Sequence, residues 1–114
     1  MGAIKEKQFG GGYDHCLVVN RRKPGELESC AKMNDPKSGR TMSVQTTQPG
    51  VQIFSANFSG IEGPSGYVYP KHLGFCFETQ HFPDSPNKPQ FPSTILRPGE
   101  TFHETTVLAF GVDR

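Results

Sequence analysis

Two carboxylates and a carboxamide stand out in this sequence because a β-strand would hold each apart from a hydrophobic core. Between Leu73 and Gln80 the residues alternate, with Phe75 and Phe77 pointing one way and Cys76, Glu78 and Gln80 the other, as side chains do along a strand. With the two phenylalanines on a core, Glu78 stands on the opposite face between a thiol and an amide. Gln52 falls in the same phase on its own strand, alternating with Val51 and Ile53. A carboxylate and a carboxamide on one sheet face orient a polyhydroxylated ligand through paired hydrogen bonds. Asp14 lies just before the first strand, beside His15; strand neighbours point to opposite faces, so these two do not act as a pair. Plainer readings stay open, and pattern alone favours them. Glu78 is then a solvent-facing strand glutamate, Gln52 a polar residue on a wet face and Asp14 a turn former.

Other chemistries find less support. His15, His72, His81 and His103 are widely spaced, and no two have ligand spacing on a shared helix or hairpin, so no metal is expected. Cys16, Cys30 and Cys76 include no C-x-x-C pair and read as buried free thiols in a reducing compartment. Gly10-Gly11-Gly12 precedes a strand rather than a helix, so it lacks the context that holds a phosphate. Twelve basic residues against 11 acidic ones give a net charge of +1, with no basic stripe among exposed aromatics, so no nucleic-acid partner is expected. Arg21-Arg22-Lys23 runs into Pro24-Gly25 and reads as a solvated turn. Met1 to Gly10 has no apolar segment of the signal-peptide kind, and no apolar run approaches membrane-spanning length. These features predict a soluble, cytoplasmic protein with no membrane partner.

The elements that must carry these residues are short strands. Thirteen Gly and 10 Pro punctuate the 114 residues, and no window sustains a helical apolar period, the pattern of an all-β sandwich or barrel. Strands are predicted over His15 to Asn20, Leu27 to Met33, Arg40 to Thr47, Val51 to Phe58, Leu73 to Gln80, Thr94 to Leu96 and Phe102 to Val112. The second and third read as a hairpin closed by Asn34-Asp35-Pro36-Lys37-Ser38-Gly39, with Met42, Val44 and Thr46 on its packed face. Ile61 to Tyr69 reads as loop. Pro83, Pro86, Pro89 and Pro92 keep His81 to Pro92 out of helix and central strand alike, leaving an extended loop or a linker. A hydrophobic fraction of 33% without Trp makes a thin core for a free-standing domain.

Several strings together go beyond pattern. Gly12-Tyr13-Asp14-His15 resembles the G-[YF]-D-H motif of the aldose 1-epimerase (galactose mutarotase) family. Asp35-Pro36-Lys37-Ser38-Gly39-Arg40 and Thr46-Thr47-Gln48-Pro49-Gly50-Val51-Gln52 are similar to its D-P-x-S-G-R and T-T-Q-P-G-[VI]-Q stretches. Tyr69-Pro70-Lys71-His72 and Gly74-Phe75-Cys76-Phe77-Glu78-Thr79-Gln80 resemble its most characteristic segment, and Leu96-Arg97-Pro98-Gly99-Glu100 closes the set. The strings fall in family order and cover nearly everything from Gly11 onward. The resemblance implies an all-β fold, part of a large antiparallel β-sandwich of the galactose mutarotase-like kind. It implies interconversion of the α and β anomers of aldohexoses such as galactose and glucose, without metal or organic cofactor. It places the general base at Glu78 and sugar-binding side chains at Asp14 and Gln52.

The departures set further expectations. In the family the general-acid histidine, a second active-site histidine and an Asn-Arg pair lie in an N-terminal part without counterpart in these 114 residues. None of the four histidines here occupies the acid's motif. Residues 1–10 read as linker-like or disordered and 11–114 as the C-terminal part of an epimerase domain, the chain being a truncated product, a partial gene model or one piece of a split enzyme. Little activity is expected of it alone, and a complementary N-terminal chain would be its partner if the enzyme is split. Ile53 to Phe58 and Phe102 to Thr106 match the family more loosely, which bears on sugar preference. The alternative from another class is a non-catalytic carbohydrate-binding fragment, with a structural remnant as a third reading.

Overall fold

A computed structural model describes residues 10–113, and the segment expected to be linker-like falls, but for Gly10, outside them. Among the described residues eight strands are formed: β1 (Asp14–Val18), β2 (Glu28–Asn34), β3 (Arg40–Thr46), β4 (Gly50–Phe54), β5 (Ile61–Glu62), β6 (Val68–Tyr69), β7 (Cys76–Gln80) and β8 (Thr106–Val112). Three-stranded sheets of order β1-β4-β7 and β2-β3-β8 are accompanied by a separate two-stranded β5-β6 hairpin, and every pairing is antiparallel. The architecture is all-β, as expected.

The β2–β3 hairpin turns where the sequence places it. Asp35 accepts from the Lys37 N–H at 3.1 Å and the Ser38 hydroxyl at 2.5 Å, and its own N–H donates to the Arg40 carbonyl at 2.9 Å. The Ser38 hydroxyl and then the Lys37 amide favour the ionised carboxylate and pull the Asp35 pKa below its ordinary value. A bulge between Ser29 and Ala31 shifts the register of β2; one-for-one alternation over Leu27 to Met33 misses it.

Thr46-Thr47-Gln48-Pro49-Gly50 is the corner where the chain leaves one sheet and enters the other, from the end of β3 to the start of β4. The Thr46 hydroxyl lies 3.2 Å from that of Thr106, which lies 2.7 Å from that of Thr79. This row of three hydroxyls links β3, β8 and β7, and so ties one sheet to the other. Thr47 adds a backbone bond to the Thr105 carbonyl at 3.0 Å and accepts from the Thr105 N–H at 2.8 Å. Val44 and Thr46, each 0% exposed, and Val51 at 2% form the centre between the sheets.

That centre is small. Among the described residues seventeen large hydrophobic side chains stay exposed, and every residue of β8 is exposed, with Phe110 at 74%. The radius of gyration, 16.8 Å, exceeds the ~13 Å that a compact chain of this length has. The thin core expected from composition is therefore observed.

Several boundaries differ from the sequence reading. Ile61 to Tyr69 forms a short hairpin rather than a loop, held by the Gly63 N–H on the Tyr67 carbonyl at 2.9 Å and by Tyr67 edge-on to Tyr69. Thr94 to Leu96 pairs with no strand, and β8 starts only at Thr106. β4 stops at Phe54, two residues before Ala56 (φ 46°), whose left-handed conformation ends a strand, and β7 starts only at Cys76. The proline-rich segment is an ordered loop. Ser85 is buried in a 3-10 turn (Ser85–Asn87) with its hydroxyl on the Phe82 carbonyl at 2.6 Å, and Phe82 meets Phe91 edge to face. Arg21 is no solvated turn residue. It is half-buried and donates to the carbonyls of Glu26 (3.1 Å), Thr47 (2.8 Å) and Gln48, latching its turn onto the corner between the sheets. The thiols are free, as expected, but not buried: Cys16 and Cys30 are half-buried and Cys76 is exposed.

Candidate active site

Sheet register brings the three singled-out side chains onto one face. In the β1-β4-β7 sheet Gln52 stands directly opposite Cys16 on one side and Glu78 on the other, while Asp14 is opposite Phe54 and Phe54 opposite Cys76. Residues two apart on a strand share a face, so Asp14, Cys16, Gln52, Phe54, Cys76, Glu78 and Gln80 lie together. The other face carries Val51, Ile53, Phe77 and Thr79, and its Thr79 reaches the second sheet. The alternation read from the sequence is therefore observed, with Phe75 and Phe77 half-buried and edge to face, 5.1 Å between centroids.

Gln52 is the middle of the group. Its Nε2 donates to Asp14 Oδ1 at 2.7 Å, a bond to a carboxylate and so of the stronger, charge-assisted kind. Donation to Asp14 identifies the NH₂ end of the carboxamide and leaves Oε1 as its acceptor. That oxygen is buried and accepts no hydrogen bond among the described residues, which costs about 1–3 kcal/mol until a donor reaches it. Glu78 is exposed; directly opposed strand residues hold their Cβ atoms about 5 Å apart, so its carboxylate extends from the same patch. Gln80 completes the row, its Nε2 directed at Cys16 Sγ at 3.9 Å. Burial raises the Cys16 thiol pKa, partly offset by this Gln80 contact.

Asp14 is the first residue of β1 and is held from outside the ladder. The Tyr13 N–H donates to the Ser55 hydroxyl at 2.7 Å, and the Tyr13 carbonyl accepts from Asn57 Nδ2 at 2.8 Å. Gly12 fits beneath this pair because it has no side chain. A Cβ there would fall inside contact distance of Asn57 Oδ1 and Ser55 Oγ and 2.9 Å from Asn57 Cγ. Sequence reasoning did not find Ser55 and Asn57. They lie 42 and 44 residues from Tyr13, and nothing in their local pattern sets them apart from other polar residues after a strand. Beside the group, Phe54, Ala56, Phe58, Ile61, Tyr69 and Leu73 help line an apolar cavity of about 290 Å³.

The sequence matches the family model described as Aldose 1-epimerase over residues 2–109, and the chain belongs to that family. It is similar to galactose mutarotase of Rattus norvegicus, with 48% identity over 103 residues, covering 89% of this chain and 30% of that protein. The Mus musculus galactose mutarotase is likewise 48% identical, and the Homo sapiens one 47%, over the same shares. The chain thus spans about 30% of the length of the curated relatives it matches. Among the described residues no helix is long and apolar enough to cross a membrane.

Proposed function

We propose that residues 11–114 are the C-terminal part of an aldose 1-epimerase domain, with Glu78 as general base and Asp14 and Gln52 as the side chains that hold sugar hydroxyls. The observation that carries this reading is the shared face: three strands present Asp14, Gln52 and Glu78 together, with Asp14 and Gln52 already hydrogen-bonded. A sugar offers hydroxyls that both donate and accept. The Asp14 carboxylate takes donors, Gln52 Oε1 lacks one, and an exposed Glu78 is free to meet the anomeric hydroxyl.

The reaction follows from those positions. Glu78 removes the proton of the anomeric hydroxyl while an acid protonates the ring oxygen, and the ring opens to the aldehyde. Rotation about C1–C2 presents the other carbonyl face, and the steps reverse. Asp14 and Gln52 keep the sugar in register throughout, the positioning contribution to rate. The acid is the histidine that the family carries in its N-terminal part, so a complementary N-terminal segment or chain supplies it. Without that proton partner the rate falls by roughly two to four orders of magnitude. The substrates are aldohexoses such as galactose, in a cytoplasmic setting. The alternative, a carbohydrate-binding fragment, draws on the fact that the Asp14–Gln52 pair forms without Glu78.

Three measurements test the proposal. In an NMR titration with D-galactose, the shifts are expected on Asp14, Gln52 and Glu78; a folded chain whose signals on this face ignore the sugar would sink it. In polarimetry of freshly dissolved α-D-galactose, the chain is expected to match buffer. A decay faster than buffer, abolished by Glu78→Gln, would instead show that the acid is not needed from outside. The base assignment is read in a chimera of the rat relative in which residues 11–114 replace its matching segment. There Glu78→Gln should lower kcat by two orders of magnitude or more, and an unchanged kcat removes Glu78 from that role.

A further inference from the structure

Strands β1 and β4 part at Asp14, where a strand end would ordinarily fray. Their register runs as far as Asp14 opposite Phe54. At the next pair the Ser55 N–H still donates to the Tyr13 carbonyl at 3.1 Å, but the Tyr13 N–H goes to the Ser55 hydroxyl at 2.7 Å. The Ser55 carbonyl is engaged elsewhere, 2.8 Å from His72 Nδ1. A carbonyl only accepts, so this nitrogen carries the proton. Asn57 closes the cluster: its Oδ1 accepts from the Ser55 hydroxyl at 2.7 Å and its Nδ2 donates to the Tyr13 carbonyl at 2.8 Å. It does so almost wholly out of solvent, at 7% exposure.

The loop that delivers His72 is held in an unusual backbone. The His72 N–H donates to the Ala56 carbonyl at 2.8 Å, and both residues have positive φ, 65° and 46°. Non-glycine residues keep such conformations only where their surroundings over-determine them, and these conformations cluster at functional sites. Here Ala56 lies between Ser55 and Asn57, which hold Tyr13, and His72 holds the Ser55 carbonyl. Fixing the N–H and C=O of Tyr13 sets the plane from which the Asp14 side chain leaves, and so aims its carboxylate at Gln52 Nε2.

We infer that Ser55, Asn57 and His72 are positioning residues that set the Asp14 carboxylate on Gln52 for a sugar hydroxyl. The sugar half of this inference rests on the reading of Asp14 and Gln52 given above; the positioning half does not. The two Gly-Tyr-Asp-His and Tyr-Pro-Lys-His strings are then one device, joined through the Ser55 carbonyl and hydroxyl.

The experiment uses the ¹⁵N-labelled chain and reads the Gln52 side-chain amide signals without sugar, Asp14→Ala marking their position when the bond is absent. Ser55→Ala and His72→Ala should each move the signals toward that position, while Ser55→Thr and His72→Asn, which keep the hydroxyl and the donor, should leave them near wild type. Asparagine also tolerates positive φ. In the Asp14→Ala background Ser55→Ala should move them no further, as expected of residues acting through one partner. Galactose affinity should fall about three- to tenfold in Ser55→Ala, the equivalent of a lost hydrogen bond. His72 is exposed, so its variants carry the test if Ser55→Ala loses its fold. Unmoved Gln52 signals in folded Ser55→Ala and His72→Ala overturn the inference. If wild type binds no galactose, the sugar reading fails and the amide signals alone decide the positioning.

Discussion

Replacing Gly12 by alanine should be the most damaging single methyl that can be added near the site. Its φ is not positive, so an alanine meets no backbone penalty there; the whole effect comes from where the Cβ lands. It would overlap Asn57 Oδ1 and Ser55 Oγ and lie 2.9 Å from Asn57 Cγ, and no flexible tail is available to yield. Asn57 must leave, breaking its bonds to the Ser55 hydroxyl and the Tyr13 carbonyl, 2.7 and 2.8 Å. Two hydrogen bonds at about 0.5–1.5 kcal/mol each, plus part of the penalty for polar groups left buried, come to about 2–4 kcal/mol. Gly25 is the control. It has φ +75° with nothing within 4 Å of its Cβ position, so alanine there bears only the left-handed penalty of about 1–2 kcal/mol. With no Trp in the chain, urea unfolding followed by far-ultraviolet circular dichroism supplies both values. Asn57→Ala should overlap heavily with Gly12→Ala, the double variant costing well below the sum because the same bonds are lost in each. A Gly12→Ala variant no less stable than Gly25→Ala, or strict additivity with Asn57→Ala, would refute the reasoning.

Three further outcomes are expected. Val44→Ala, at 0% exposure between the sheets, should lose about 2–3 kcal/mol from burial and cavity, whereas Phe110→Ala on exposed β8 should stay within about 0.5 kcal/mol in the same urea assay. Asp35 has its pKa lowered by Ser38 and Lys37, so its contribution is present above the ordinary carboxylate value of about 3.9 and lost as pH falls through the lower folded value. The gap in urea midpoint between wild type and Asp35→Asn should therefore narrow steadily on acidification through that range. Among the thiols, exposed Cys76 should react with an aromatic disulfide first, and Cys16 and Cys30, both pushed up mainly by burial, about tenfold or more slowly; Cys76→Ser should remove the fast phase alone.

How far the fold was legible depended on whether a signal was local. The β2–β3 turn lies in consecutive residues, and Asp35 makes its bonds within three positions of itself, so the sequence predicts it correctly. The phase of Gln52 and Glu78 is equally local, since alternation alone puts Val51 and Phe77 on the other face. Which strands neighbour one another is not local. That β1 and β7 both flank β4 depends on pairings between residues far apart, and no periodicity encodes it. Thr94 to Leu96 has strand-like composition and still pairs with nothing; composition cannot supply a partner edge.

The site divides along the same line, and the division explains why its supporting residues were invisible. Asp14, Gln52 and Glu78 are polar side chains on strands, where a charge in an alternating run is conspicuous. Ser55 and Asn57 bond backbone groups of Tyr13, more than 40 residues away, and His72 bonds the Ser55 carbonyl; a serine or asparagine after a strand is ordinarily a turn former. Their role comes from what the ladder leaves unpaired at Tyr13, a property of the register and not of any residue type. Gly12 is the one local trace of it. A glycine two residues before a strand that does not need positive φ has to be there for space, and the side chains occupying that space are Ser55 and Asn57. An unexplained glycine beside a site carboxylate is therefore informative in sequence alone, because it says that something must approach the backbone closely even before its partner is known.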